Sequence, residues 1–208
     1  MRTAVRAQSA AATRTPPSRP YPPSWLDSLI EGIDRLPGPA AVYYLVLWLG
    51  TLLAETMLKW WDGAYPPGTI FPFHVWFSAV GPYILFTSRH LDAVASEALH
   101  DCRPALTVTE AEYAQLHYEL PTTPRRPVRV ASVLSLLFVL LWFPFPGNPV
   151  TPALAPLKLF TSPSALVLDA LIYCFTWALF GAAMYRIIHQ LWVMRRIYSG
   201  HVRINLFV

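Results

Sequence analysis

Four long apolar stretches constrain the fold of this chain more than any other feature of its sequence. They cover about residues 40–58, 69–87, 130–145 and 164–185. A helix rises about 1.5 Å per residue, so about 20 apolar residues cross the roughly 30 Å hydrocarbon core of a bilayer. In that core a helix satisfies its own backbone hydrogen bonds. The pattern therefore predicts an all-α fold, an integral membrane four-helix bundle.

The composition agrees with lipid as the surrounding solvent. The chain is 54% hydrophobic and only 13% charged, whereas soluble domains carry about 25% charged residues. Its arginines border the apolar stretches instead of forming one basic stripe, so we expect the bilayer and not nucleic acid as partner. Cys102 falls in a polar segment and Cys174 in an apolar one, which predicts two free thiols.

The basic residues predict the orientation. Fourteen of the sixteen lie in residues 1–39, 88–129 and 186–208, and the other segments hold only Lys59 and Lys158. Segments rich in lysine and arginine stay on the cytoplasmic side. We therefore predict a plasma-membrane protein with both termini cytoplasmic, and we expect Lys59 at the outer interface with Trp60 and Trp61. The richness in alanine, arginine and proline indicates a bacterial genome.

The segments at the two ends differ from the spans. Residues 1–24 are basic, rich in proline and free of acidic residues, which favours a disordered tail; an organelle transit peptide is the alternative. Apolar residues at helical spacing in residues 25–36 predict an amphipathic helix lying in the membrane interface. The proline-rich residues 146–163 are expected to form an extended outer loop. Residues 188–208 are predicted to form a basic amphipathic cytoplasmic tail.

A polar insert, residues 88–128, separates the second and third spans of the membrane domain, residues 40–187. Apolar spacing predicts one short amphipathic helix in its first half, ending near Pro104. Thr109 and Glu112 have the spacing of a capping box, which predicts a second helix starting there. We therefore expect a cytoplasmic amphipathic helical hairpin between spans two and three.

Three ionisable residues inside the spans are the main candidate site. A charge at the centre of a bilayer costs about 2.5–3.5 kcal/mol. The presence of Glu55, His74 and Asp169 within the spans therefore indicates a candidate functional site. All three are expected at a similar depth, where they could together relay protons, hold a divalent cation or bind a cationic ligand. In the alternative, each reaches headgroups and water separately. Their spacing matches no zinc signature, so we predict no metal and no cofactor.

A second candidate set lies after the fourth span. Its members, predicted to contact a protein partner or lipid, are Arg186, Trp192, Arg195 and Arg196.

The function is the least constrained prediction. The sequence lacks G-x-S-x-G, phosphate-loop, G-x-G-x-x-G and H-E-x-x-H motifs, which argues against an enzyme. The first hypothesis is a non-enzymatic anchor, assembly or sensor module that acts through its cytoplasmic surface on a protein partner or a second copy of itself. The alternative is a small oligomeric transporter or channel for protons, cations or a small solute, with a helix broken near Pro82. A lipid-modifying enzyme is the third possibility.

Overall fold

The computed structural model describes residues 20–106, 108–142, 164 and 166–200. Within them the chain forms α-helices and no β-strand. The helices are α1 (Trp25–Asp34), α2 (Ala40–Trp61), α3 (Pro72–Cys102), α4 (Glu110–Glu119), α5 (Arg125–Trp142) and α6 (Leu166–Gly200), with a 3₁₀ turn at Arg103–Ala105. The all-α prediction is confirmed. Residues 1–19, 143–163 and 201–208 lie outside the described residues. They hold most of the predicted amino-terminal tail, the predicted outer loop and the end of the predicted tail of residues 188–208.

Two of the helices are long and apolar enough to cross a membrane, α2 and Leu166–Ser199 of α6. α2 packs few of its side chains inside the protein, and residues such as Val46 and Met57 are exposed. The other two predicted spans are less apolar. α5 begins with arginines among its first five residues, and α3 contains His74 and Pro82 within its apolar stretch.

The central pair of helices is α3 and α6. α6 packs against both α3 and α5, and α2 packs against α3. α5 and α6 approach most closely at Gly181, where an added Cβ would lie 2.7 Å from the Cβ of Ser135 and closer still to the backbone of Ala131. Only glycine fits there, because any larger residue would meet the main chain of α5.

The second predicted span and the first half of the insert form one continuous helix. α3 runs for 31 residues through Pro82 to Cys102, about 46 Å at 1.5 Å per residue. The predicted boundary between span and insert at Ser88 does not interrupt the helix, because no proline or glycine stands between Pro82 and Cys102. A polar stretch can therefore continue an apolar helix when it contains no residue that interrupts the helical backbone.

Beyond Ser88 the long helices form a second core with the rest of the insert. It buries Ala95 and Leu99 of α3, Leu116 and Leu120 of α4, and Val193 and Ile197 of α6. The predicted capping box starts α4: the hydroxyl of Thr109 accepts a hydrogen bond from the Glu112 amide, and the Glu112 carboxylate accepts one from the Thr109 amide at 2.8 Å. Both Cys102 and Cys174 are free thiols, as predicted.

α1 corresponds to the predicted amphipathic helix of residues 25–36. A second capping box, formed by Ser24 and Asp27, starts it. Its apolar residues Leu26 and Ile30 are buried in a core that also contains side chains of α2, α3, α5 and α6. The apolar face of α1 is therefore covered by the chain itself.

Candidate functional site: two buried ionic clusters

The three ionisable residues predicted to share a depth lie in one buried cluster. Glu55, His74 and Asp169 are 1%, 3% and 2% exposed, and Lys59 and Tyr65 are buried beside them. We call these five residues the Glu55 cluster. The alternative in which each residue separately reaches headgroups and water does not fit this burial.

The chain connections explain why the cluster forms. Glu55 and Lys59 lie one turn apart on α2, so they share a helix face. Asp62, just after α2, accepts hydrogen bonds from the amide and hydroxyl of Ser164 at 2.8 and 2.7 Å. These bonds hold the start of α6 against the end of α2. Asp169, in the first turn of α6, thereby comes beside Lys59.

His74 reaches the cluster through the tight turn that joins α2 to α3. Gly63 and Gly68 have φ angles of 66° and 87°, which other residues adopt only with strain. This turn reverses the chain and places His74, in the first turn of α3, opposite the last turns of α2. Tyr65 of the turn lies against the imidazole.

Lys59 and Asp169 form a buried ion pair. The ammonium nitrogen of Lys59 lies 3.2 Å from Oδ2 of Asp169, and both side chains are almost fully buried. Asp169 also lies in the first turn of α6, where the helix dipole favours a negative charge. The ammonium group and the helix dipole both stabilise the charge of the Asp169 carboxylate.

Glu55 and His74 form a looser pair. Oε2 of Glu55 lies 3.7 Å from Nδ1 of His74, beyond hydrogen-bond distance. Among the described residues no group donates a hydrogen bond to either oxygen of the Glu55 carboxylate. The other imidazole nitrogen, Nε2, lies 3.1 Å from the Tyr65 hydroxyl. Burial raises the pKa of Tyr65, as do the Asp169 and Glu55 carboxylates, so this hydroxyl keeps its proton and can donate to His74.

The position of Lys59 differs from the one predicted from the sequence. It was expected at the outer interface with Trp60 and Trp61, yet it is fully buried, while Trp61 is exposed. The cause is the carboxylate of Asp169, which offers Lys59 a counter-charge inside the protein. The four-residue spacing from Glu55 was the signal in the sequence that could have revealed it.

A second buried cluster surrounds Arg186 at the level of the insert. Its Nε donates to Oδ1 of Asp92 at 2.9 Å, its Nη1 lies 2.9 Å from Oδ1 of Asp27, and its Nη2 contacts Asp92 and donates to the Pro121 carbonyl at 2.7 Å. Gln190 donates to Asp92 as well, at 2.9 Å. One guanidinium thus joins α1, α3, α6 and the connection before α5. We call this group the Arg186 hub.

Arg186 was predicted to contact a partner or lipid, and its position differs from that prediction. It is 2% exposed, because two carboxylates from distant parts of the chain require a counter-charge inside the protein. Burial raises the pKa of Asp92 to about 6; the Arg186 guanidinium opposes this rise and Asp27 adds to it. No local sequence pattern singles out Asp27 or Asp92, since nothing near either residue indicates that they meet.

The other three members of that predicted set lie at the surface. Trp192 and Arg195 are exposed, and Arg196 lies 5.9 Å from the Trp192 ring and 3.5 Å from a Glu119 oxygen. Apolar neighbours accompany them, since Leu191 is also largely exposed.

No protein-family model, curated protein or solved structure matches this chain. In the part of the chain that the structure describes, no three histidine, cysteine or acidic side chains are grouped to hold a metal ion. The two clusters and the surface of α6 are therefore the features that bear on function.

Proposed function

We propose that this chain is a bacterial four-span plasma-membrane protein with both termini cytoplasmic, which acts as a non-enzymatic assembly or sensor module through its cytoplasmic surface. The observation that carries the proposal is an exposed apolar and basic face on the last part of α6. We call it the α6 face, and it consists of Ile188, Leu191, Trp192, Arg195 and Tyr198.

Exposed apolar side chains on the two less apolar helices support four spans. α5 exposes Leu134, Phe138 and Leu141 along its length, and α3 exposes Tyr83 and Phe86. Continuous apolar surface of this kind is rare on soluble monomers. With spans near residues 40–58, 69–87, 130–145 and 164–185, these side chains face lipid. The insert and the Arg186 hub then lie on the cytoplasmic side.

The α6 face would extend beyond the membrane. Residues 186–200 of α6 rise about 22 Å past the fourth span. One side of this segment is covered by its own chain, since Val193 and Ile197 are buried in the second core. The opposite side leaves Leu191 65% and Trp192 59% exposed. Tryptophan and arginine are enriched where protein partners bind most tightly, so this side suits a protein partner or a second copy of the chain.

Purification in mild detergent after crosslinking in native membranes tests this proposal. We expect a complex larger than one 23.4 kDa chain, and we expect L191D and W192A to release it by removing the apolar contact. V94D is the matched control, because Val94 is an exposed residue of α3 in the same layer. A wild-type protein that runs as a lone monomer, or a V94D variant that loses the complex equally, would contradict the proposal.

The Glu55 cluster favours a second candidate, a small oligomeric proton or cation transporter. Ionisable residues buried within membrane helices often lie on ion paths. The expected break in the second span is not supported, because α3 continues as a helix through Pro82. Proton or cation flux into liposomes that is lost when Glu55, His74 and Asp169 are all replaced by alanine would favour this candidate; unchanged flux would dispose of it.

A further inference from the structure

We propose that the Glu55 cluster is a proton-binding site in which Glu55 and His74 together hold one exchangeable proton. The inference goes beyond the proposed function, because it adds a proton-binding site to the proposed module. It depends on the geometry of α2, α3 and α6 and not on the identity of any partner.

The charges of the cluster require one more positive charge. Lys59 and Asp169 balance each other across 3.2 Å. If Glu55 is ionised and His74 is neutral, one negative charge remains in the interior with no hydrogen-bond donor on it among the described residues. An isolated buried charge is costly, and the usual result is that the group takes up a proton. One proton from water, bound either by the Glu55 carboxylate or by the His74 imidazole, makes the cluster neutral.

The geometry assigns the proton to this pair and not to the lysine and aspartate. Asp169 has both the Lys59 ammonium and the start of α6 to stabilise its charge. Glu55 has only the imidazole, at 3.7 Å. The Tyr65 hydroxyl at Nε2 holds His74 in place with its Nδ1 directed at Glu55. Glu55 is therefore the carboxylate whose charge is least compensated.

A metal ion suits the cluster less well than a proton. The ammonium of Lys59 already lies between the helices and would repel a cation. Among the described residues no set of ligands is grouped for a metal. The charged and titratable groups beside the pair are Lys59 on α2, Tyr65 in the turn and Asp169 on α6.

Loss of the proton has a structural consequence. It would leave an uncompensated charge between α2 and α3, whose ends the pair connects. In the topology proposed above, this end of the bundle faces away from the cytoplasm, so the site would respond to the pH outside the cell. This last step rests on the proposed function, whereas proton binding itself does not.

Infrared and NMR titrations of the full chain in nanodiscs test the inference. Asp92, whose pKa is raised to about 6, also releases a proton, so the titrations are run in a D92N background. Between about pH 4 and about pH 9, the range that covers ordinary glutamate and histidine titrations, we expect one proton to leave the Glu55–His74 pair. It would appear as loss of a protonated carboxyl band or as a shift of the His74 ring signal. The variant E55Q keeps the shape but removes the negative charge, so it should fold and lose this titration. The exposed-residue variant E97Q should retain it.

The histidine variant separates the two members of the pair. In H74Q the proton has only Glu55 to bind, so the carboxyl band should persist and its midpoint should move. A wild-type protein in which neither probe titrates, or an E55Q protein that titrates as wild type does, would overturn the inference. A titration that disappears when sodium or magnesium is added would also overturn the inference, because a cation and not a proton would then occupy the site. None of these results depends on whether a partner binds the α6 face.

Discussion

Replacing Arg186 by methionine should destabilise the fold more than replacing any surface arginine. Methionine keeps much of the apolar stem of the side chain but removes the guanidinium. Asp27 and Asp92, whose side chains are only 12% and 18% exposed, would then face each other without a counter-charge. The hydrogen bond to the Pro121 carbonyl would also be lost.

The size of the effect follows from this burial. Removing one partner of a buried ion pair costs about 3–5 kcal/mol, because the remaining charge stays desolvated. We therefore expect R186M to lower the free energy of unfolding by about that amount. The matched control is R196M: Arg196 is half exposed and lies 3.5 Å from Glu119, and exposed pairs contribute less than about 1 kcal/mol.

Reversible unfolding in mixed micelles, followed by tryptophan fluorescence, measures both variants. The double variant R186M/D92N should cost less than the sum of its two single variants by at least about 1 kcal/mol, since it removes one of the uncompensated charges. If R186M proved no more costly than R196M, the reasoning about the Arg186 hub would be refuted.

Three further predictions concern particular side chains. G181A should destabilise by about 1–3 kcal/mol, since its methyl group would press on Ser135 and the α5 backbone, whereas G50A, with open space around it, should be neutral or stabilising in the same unfolding assay. The pKa of Asp92 is raised to about 6, so between about pH 4 and about pH 6 the folded protein keeps a proton on this carboxyl that the unfolded chain has released. Relative to D92N, the wild type should therefore lose stability as the pH rises through this range, by at most about 3 kcal/mol. A gain in stability over the same range would contradict the prediction. T109A should cost about 1 kcal/mol by removing the cap of α4, and local hydrogen exchange in α4 should rise; unchanged exchange would argue that the cap is dispensable.

The features that the sequence predicted well are local ones. The capping box of Thr109 and Glu112 depends on a spacing of three residues, and it starts α4 as expected. The amphipathic helix of residues 25–36 follows from the repeat of apolar residues, and it is present as α1. A helix type or a cap depends on neighbours in the chain, which a sequence displays directly.

The boundary between span and insert could not be placed from composition. The stretch after Thr87 is polar, which predicted a separate short helix. α3 nevertheless continues unbroken to Cys102, because helix continuity depends on the backbone and on packing more than on polarity. The second core supplies that packing, through residues such as Leu99 on α3 and Val193 on α6.

The pairing of charges was the least predictable feature. Lys59 and Arg186 were both expected at surfaces, and both are buried against carboxylates from other helices. Asp92 is more than 90 residues from Arg186 in the chain, and no local pattern connects them. Glu55, His74 and Asp169 were placed at one depth by counting residues along the spans, but the counterion that makes their burial possible was not identified.

Cysteine accessibility tests the four-span arrangement most directly. With Cys102 and Cys174 replaced by serine, single cysteines are introduced by P66C, in the turn between α2 and α3, and by S199C, near the end of α6; both positions are exposed. A membrane-impermeant maleimide added to intact cells should label the cysteine at position 66 at once, and the cysteine at position 199 only after permeabilisation. Labelling of both from the same side would contradict the account, since the Glu55 cluster and the α6 face could not then lie on opposite sides of the bilayer.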